Sequence, residues 1–225
     1  MLGHDLRNPL AAMIATAQAL ARRGGDDRVS DSARRIVATG QRMSRMIEQL
    51  LDFTRLRLGS GLAIQPTEID LADLARRIVR EVEETHGRTF VIDVRGSAVG
   101  RWDSDRLAQL VSNLAGNAVQ HGSPTGGLRM RLDGGDAATV RLSFENDGTI
   151  PGDVLPVLFD PFRSTRITET RSRGLGLGLF ITREIAVAHG GDVLVSSSDG
   201  VTRFEVVLPR HADARPTHER GPQPR

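Results

Sequence analysis

The sequence predicts an α+β protein in which a helical hairpin precedes an α/β domain. Three observations support this fold class. Residues 1–58 show only helical apolar periodicity, a glycine-containing break follows at residues 59–65, and the pattern then alternates between strands and helices as far as about Arg210. With 225 residues, 39% of them hydrophobic, the chain is long enough to form two small domains that each bury a core.

Residues 1–58 form the predicted hairpin, in which residues 23–27 separate two helices. Each helix carries an apolar stripe at helical spacing: Leu2, Leu6, Leu10 and Met13 in the first, and Ile36, Met43, Ile47, Leu50 and Leu51 in the second. Two antiparallel helices expose a wide apolar face, which a second copy would cover by forming a dimeric four-helix bundle. We therefore expect a homodimer. Packing of the hairpin on the rest of the chain is the alternative that periodicity leaves open.

Residues 66–210 form the predicted α/β domain, after a linker at residues 59–65. Its expected helices are 71–84, 103–120 and 177–188, and its expected strands are 89–94, 128–132, 140–145, 192–197 and 203–208. The last two strands are expected to pair as a hairpin. The tail, residues 211–225, is rich in proline, arginine and polar residues, so we expect it to be disordered.

The composition excludes several classes of function. The formal net charge is only +2, so the charge balance does not call for a nucleic-acid partner. The chain contains no cysteine, which excludes disulfides, thiolate metal sites and cysteine nucleophiles and suits a cytoplasmic location. No apolar run approaches the roughly 20 residues that span a bilayer, and the N-terminus lacks a signal-peptide pattern. We expect no membrane contact from this chain.

The first candidate site is the segment from His4 to Pro9. His4 and Asn8 share a helix face because they lie four residues apart. Pro9 cannot donate a hydrogen bond to the carbonyl of Asp5, so we expect the helix to bend there and expose the histidine. The Asp5 carboxylate can orient the imidazole and accept its proton, which makes the other ring nitrogen a better nucleophile toward a phosphoryl group. A solvated histidine without function is the simpler alternative.

The second candidate site is a polar stripe on the predicted helix 103–120. Its members recur every four positions: Gln109, Asn113, Asn117 and, just beyond the helix, His121. Apolar residues, among them Leu107, Leu110 and Leu114, cover the opposite face. Carboxamide oxygens are hard ligands of the kind that Mg²⁺ prefers, together with substrate phosphates. A solvated helix face would normally carry charged side chains, so the stripe favours a ligand site.

Two glycine-containing segments form the third candidate site. Residues 146–151 include Asn146 and Gly148, and residues 174–178 include Gly174, Gly176 and Gly178 and lead into a helix. Glycines let the backbone approach a ligand closely, and the N–H groups that begin a helix attract phosphate. A glycine-rich loop alone is weak support for a nucleotide site, and the Walker pattern is absent.

The segment between these turns contains Phe162, followed by Arg163, Arg166, Arg171 and Arg173. We interpret it as a mobile lid whose arginines could reach a triphosphate. An ordinary surface loop is the alternative.

Taken together and in this order, these segments resemble the histidine kinases of two-component signalling over nearly the whole span from Met1 to Arg210. Residues 4–9 resemble the family's H box, 113–117 its N box, 146–151 its first glycine box, 159–162 its F box and 174–178 its second glycine box. The resemblance implies a dimeric hairpin followed by an α/β sandwich of the kind shared with Hsp90, gyrase and MutL ATPases.

The resemblance also implies an ATP-dependent enzyme. His4 would accept the γ-phosphoryl group of ATP with Asp5 as its acid/base partner, and then pass the group to an aspartate of a response-regulator receiver domain. Asn117 would hold Mg²⁺ and Asn113 would support the phosphates, while the remaining nucleotide contacts would come from Asn146, Gly148, Phe162, Gly174, Gly176 and Gly178. Asn8 would orient a water molecule that hydrolyses the partner's phosphoaspartate, although easing the helix into Pro9 is an alternative role.

The chain departs from the family pattern at three positions. Asn146 stands where an aspartate usually contacts the adenine amino group, with Asp147 directly after it; Ile150 replaces a second glycine; and Gln120 replaces a common lysine. Asn146 still offers a carbonyl oxygen to an amino group. The pattern Asn-x-Gly-x-Ile-Pro at residues 146–151 is similar to that of some phytochrome-linked kinases, which favours an active enzyme.

Two other functions stay open at this point. One is a non-kinase ATPase of the same superfamily, which would have no reason to carry His4 with Asp5 and Asn8. The other is a degenerate dimeric scaffold that binds a response regulator without hydrolysing nucleotide, as the three departures would allow. Only three residues precede His4, whereas the first helix of the family's hairpin begins well before the histidine. We therefore expect a fragment or a misplaced start codon.

Overall fold

The computed structural model describes residues 2–22, 27–59, 61–162 and 175–211, with side chains for all of these except residues 2–8 and 27. The predicted tail beyond His211 lies outside the described residues. His211 itself, which the sequence assigned to the tail, forms an isolated parallel bridge with Arg101. No helix in the described ranges is long and apolar enough to cross a membrane.

Two helices, α1 (Leu2–Arg22) and α2 (Asp27–Arg57), form the expected hairpin. Small residues at its interface allow the helices to approach closely. A Cβ on Gly40 of α2 would lie only 2.6 Å from Cγ1 of Ile14 of α1, and Ala17 and Ala33 are buried nearby. Most of the apolar stripe predicted for α2 takes no part in this packing: Ile36, Met43 and Leu50 are exposed in the single chain, as is Met13 of α1.

The second part of the chain is built on a five-stranded sheet. In the described ranges the strands are β1 (Thr67–Asp70), β2 (Val91–Gly96), β3 (Val99–Trp102), β4 (Leu128–Gly134), β5 (Thr139–Asp147), β6 (Asp192–Ser198) and β7 (Val201–Pro209). The sheet order is β2-β4-β5-β7-β6, with β2 and β4 parallel and the other neighbours antiparallel. Burial alternates along β4, because helices cover one face of the sheet.

Three helices cover that face: α3 (Leu71–His86), α4 (Ser104–His121) and α5 (Gly178–Ala188), with a short 3-10 helix at Leu155–Val157. The largest fully buried side chains include Trp102, Phe144, Leu107, Leu110 and Leu114, the last three from α4. The predicted elements are therefore confirmed to within a few residues. The sequence did not reveal β1 and β3, which pair with each other in a two-stranded sheet beside the core.

The start of α4 is fixed by Asp103. Its Oδ1 accepts the backbone N–H groups of Asp105 and Arg106 at 3.1 and 3.0 Å, which caps the helix. The backbone N–H of Asp103 donates to Nε2 of His189, a fully buried side chain just after α5, at 3.0 Å. Nδ1 of His189 donates to the carbonyl of Ile185 at 2.8 Å. Only a neutral imidazole can accept at one nitrogen and donate at the other, and burial lowers the pKa of His189.

This contact predicts an acid-sensitive fold. Because the folded pKa of His189 is lowered, the unfolded chain binds the proton more readily, so stability is complete above the ordinary histidine pKa of about 6.5 and falls below it. A single such group contributes a slope of at most about 1.4 kcal/mol per pH unit. In urea unfolding at about pH 7.5 and pH 5.5, we expect His189→Gln to lose part of the acid destabilisation of the unsubstituted chain. His86→Gln, at an exposed histidine, is the matched control; equal pH slopes in all three proteins would contradict the assignment.

Candidate functional site

The polar stripe of α4 faces the start of α5. Nδ2 of Asn113 lies 3.2 Å from the carbonyl oxygen of Gly178 and 3.4 Å from Oγ1 of Thr182. Thr182 also donates to the carbonyl of Gly178 at 2.8 Å, so these three residues lock α4 to the first turn of α5. Asn117 is half-buried one turn further along α4. Within the described part of the chain, no hydrogen bond engages its carboxamide, which leaves it available to a ligand.

Gln109, the first member of the predicted stripe, does not face this site. Its Nε2 donates to Oδ2 of Asp52 of α2 at 3.1 Å, so it belongs to a contact with the hairpin. The spacing predicted one ligand-facing stripe, but the stripe divides. Its N-terminal residue binds the hairpin, whereas Asn113 and Asn117 line the candidate nucleotide site.

Asn146, the next-to-last residue of β5, is buried beside the end of α4, where its Cβ lies 3.1 Å from a Cβ placed on Gly122. Its Nδ2 donates to the backbone carbonyl of Asp147 at 3.1 Å, which fixes the amide so that Oδ1 remains available as an acceptor. The neighbouring Asp147 binds the loop after α4, because its Oδ2 accepts the backbone N–H of Gly127 at 2.9 Å. Asn146 offers one carbonyl acceptor to a ligand at this end of β5.

The first glycine turn is held by hydroxyl groups of β6 and β7. Oγ1 of Thr202 donates to the carbonyl of Gly148 at 2.9 Å, and Oγ of Ser197 accepts the N–H of Ile150 at 2.8 Å. The two hydroxyls lie 3.0 Å apart, so they form a continuous relay. Gly148 has φ +135°, a conformation that a side chain would strain, and this explains the glycine.

The second glycine segment is described from residue 175 onward, so Gly174 and the four lid arginines at 163, 166, 171 and 173 lie outside the described residues. Gly176 has φ +69°, and its carbonyl accepts the N–H of Phe162 at 3.0 Å. No side chain in the described ranges caps the start of α5 at Gly178. Uncapped N–H groups at a helix start bind phosphate readily. The ring of Phe162, expected at the nucleotide, packs instead against Phe53 of α2.

The loop after α4 is fastened by Arg88, which the sequence analysis did not identify. Its guanidinium donates to the carbonyls of Val119, Ser123 and Gly126 at 2.8 to 3.0 Å. These carbonyls belong to the last turn of α4 and to the loop that follows it, where no further N–H groups of the helix are available as donors. No local sequence signal reveals the contact, because Arg88 lies 31 residues from the nearest of them.

His4, Asp5 and Asn8 lie in α1, and their side chains are outside the described residues. The backbone register still fixes their level along the hairpin. Ile14 contacts Gly40, and His4 is ten residues before Ile14 while Leu50 is ten residues after Gly40. Because both helices rise equally per residue and run antiparallel, His4 lies level with Leu50.

The site fits a nucleotide better than a metal held by the protein alone. In the described ranges, no group of three or more histidine, aspartate or glutamate side chains could hold a metal ion. A magnesium ion here would be bound through the phosphates of a ligand and the carboxamide oxygen of Asn117. The buried acceptor at Asn146 and the uncapped start of α5 suit the base and the phosphates of a nucleotide.

Comparison with known proteins assigns both parts of the chain to families. Residues 1–59 match the family described as His Kinase A (phospho-acceptor) domain. Residues 102–212 match the family described as Histidine kinase-, DNA gyrase B-, and HSP90-like ATPase. Together these matches cover most of the chain.

Two curated relatives are each 36% identical to the chain. One is a bacteriophytochrome of Pseudomonas aeruginosa, aligned over 212 residues that cover 93% of this chain and 29% of the relative. The other is sensor histidine kinase TrcS of Mycobacterium tuberculosis, aligned over 220 residues that cover 92% and 42%. The chain thus spans less than half the length of either relative. Among solved structures, full-length ShkA in complex with AMPPNP has the same fold, with a TM-score of 0.69 at 24% identity over 96% of this chain and 46% of that one.

Proposed function

The chain belongs to the sensor histidine kinases, and we propose that it transfers the γ-phosphoryl group of ATP to His4 and then to an aspartate of a response regulator. One observation carries this proposal. The half-buried carboxamide of Asn113 meets the start of α5, which no described side chain caps, and that start lies against α2 beside the level of His4. A nucleotide-binding end next to an acceptor helix is the arrangement that phosphoryl transfer requires.

Each residue of the site has a role in the proposed reaction. Oδ1 of Asn146 accepts the adenine amino group, the turn at Gly148 approaches the base, and the N–H groups at Gly176 and Gly178 hold phosphate oxygens. Asn113 supports the phosphates by fixing the start of α5, and Asn117 holds Mg²⁺. When bound, Mg²⁺ neutralises charge on the phosphates.

The transfer itself takes place at His4. One ring nitrogen forms a bond to the γ-phosphorus while the bond from that phosphorus to the oxygen of the leaving ADP breaks. Asp5 accepts the proton that the imidazole releases at its other nitrogen. Asn8, on the same helix face, positions water against a docked phosphoaspartate.

The proposed assembly is a homodimer. The exposed stripe of Met13, Ile36, Met43 and Leu50 is apolar surface that a single chain leaves in contact with water, and a second copy would cover it as a four-helix bundle. A receiver domain of a response regulator would then bind the same hairpin to collect the phosphoryl group.

The acceptor assignment predicts that His4→Ala abolishes autophosphorylation and leaves ATP binding unchanged. The reason is that the acceptor and the nucleotide residues lie on different parts of the fold. The measurement is incubation with Mg·ATP labelled at the γ-phosphate, with binding followed by calorimetry. Base-stable, acid-labile phosphate persisting in the variant would rule out His4.

The nucleotide assignment predicts that Asn117→Ala weakens Mg-dependent ATP binding at least about tenfold without unfolding the domain, because the side chain faces the ligand and not the core. Ser112→Ala, at a half-buried neighbour on the same helix, is the control. If the variant binds ATP with unchanged affinity in the presence of Mg²⁺, Asn117 faces solvent and does not contact the ligand. If the unsubstituted chain binds no ATP, the kinase proposal is wrong and the dimeric scaffold that binds a response regulator takes its place.

A further inference from the structure

Asp52 of α2 is a buried carboxylate outside the nucleotide site, 4% exposed. Its Oδ2 accepts hydrogen bonds from Nη1 of Arg106 at 2.9 Å and from Nε2 of Gln109 at 3.1 Å. Nη1 of Arg106 also donates to Oε1 of Gln109 at 3.0 Å, so the three side chains close a triangle. Arg106 and Gln109 lie in the first two turns of α4, the helix that carries Asn113 and Asn117.

The next residue of α2 extends the same contact to α5. The ring of Phe53 packs edge-on against Phe162, with centroids 4.9 Å apart, and against Phe180, with centroids 5.8 Å apart. Phe162 has φ +64°, which is unusual for a bulky side chain, and its N–H is bonded to the carbonyl of Gly176. Two consecutive residues of the hairpin therefore contact both helices of the nucleotide site.

The position of this contact along the hairpin is informative. Gln49 of α2 precedes Leu50, the residue level with His4, and its Nε2 would lie 4.0 Å from a Cβ placed on Gly178. Asp52 follows within a single helical turn. The contact thus sets the start of α5, where phosphate would bind, at the height of His4.

We infer that Asp52 is a positioning residue, which holds α4 and α5 against the hairpin so that the bound phosphoryl group lies at the level of the acceptor histidine. This inference rests on the proposed kinase function. Arg106 is the matching cation and Gln109 orients it. The hydrogen bonds of Asp52 to described residues go to Arg106 and Gln109 and not to Asn113, Asn117 or Asn146, so we expect it to act on the transfer step and not on nucleotide affinity.

The test compares Asp52→Asn with the unsubstituted chain at saturating Mg·ATP. We expect the first-order rate of phosphohistidine formation to fall by about one to two orders of magnitude, because a small misplacement of the reacting groups slows transfer by that much. We expect the affinity for ATP to change less than about twofold. Asp31→Asn is the control, because Asp31 forms an exposed ion pair with Arg34 on the same helix and should leave both values unchanged.

A second variant excludes a merely structural explanation. Arg106→Gln should lower the rate as Asp52→Asn does. The variant with both substitutions should be no slower than either single variant, because each of the three variants removes the same contact between Asp52 and Arg106. An unchanged or faster rate in Asp52→Asn, or multiplicative losses in the double variant, would overturn the positioning role. If the unsubstituted chain forms no phosphohistidine at all, the proposed function fails instead and the inference falls with it.

Discussion

Packing and capping hold α4 in a single orientation. Leu107, Leu110 and Leu114 are fully buried against the sheet, so the helix cannot rotate without exposing them. Asp103 caps its start, and Arg88 binds the carbonyls at its end. With one face held by the core, the opposite face must present its carboxamides outward, toward α5 and toward the hairpin.

This single helix joins the two parts of the chain. Its first turns bind α2 through Asp52, its middle binds α5 through Asn113, and its last turns leave Asn117 open to a ligand. A buried ion pair adds little net stability over an apolar contact, but removing one partner leaves an uncompensated charge. Such a contact therefore favours one specific docking geometry, which explains its place between a nucleotide site and an acceptor helix.

Local sequence patterns were sufficient to predict the helices, the main strands and part of the candidate site. Four-residue spacing revealed the stripe on α4, and Gly148 and Gly176 do occupy positive-φ turns. The contacts of Asp52, Arg88 and Thr202 join residues that are 31 to 57 positions apart, so no periodicity could reveal them. For the same reason Gln109 was wrongly grouped with the ligand-facing carboxamides. The two short strands β1 and β3 were missed because four residues carry too little alternation.

The α/β domain docks on the hairpin with the start of α5 beside α2, at the level of His4. Because the chain contains no cysteine, a Gln49→Cys, Gly178→Cys variant can be crosslinked cleanly with a short bismaleimide. The nearest described atom that a Cβ on Gly178 would meet is Cγ of Asn113 at 3.8 Å, an ordinary van der Waals distance, so these residues leave room for the substitution. Docking in this geometry predicts faster crosslinking than in a control variant that keeps Gln49→Cys and carries its second cysteine at Val91, on the edge strand β2. Equal rates in the two variants would contradict it.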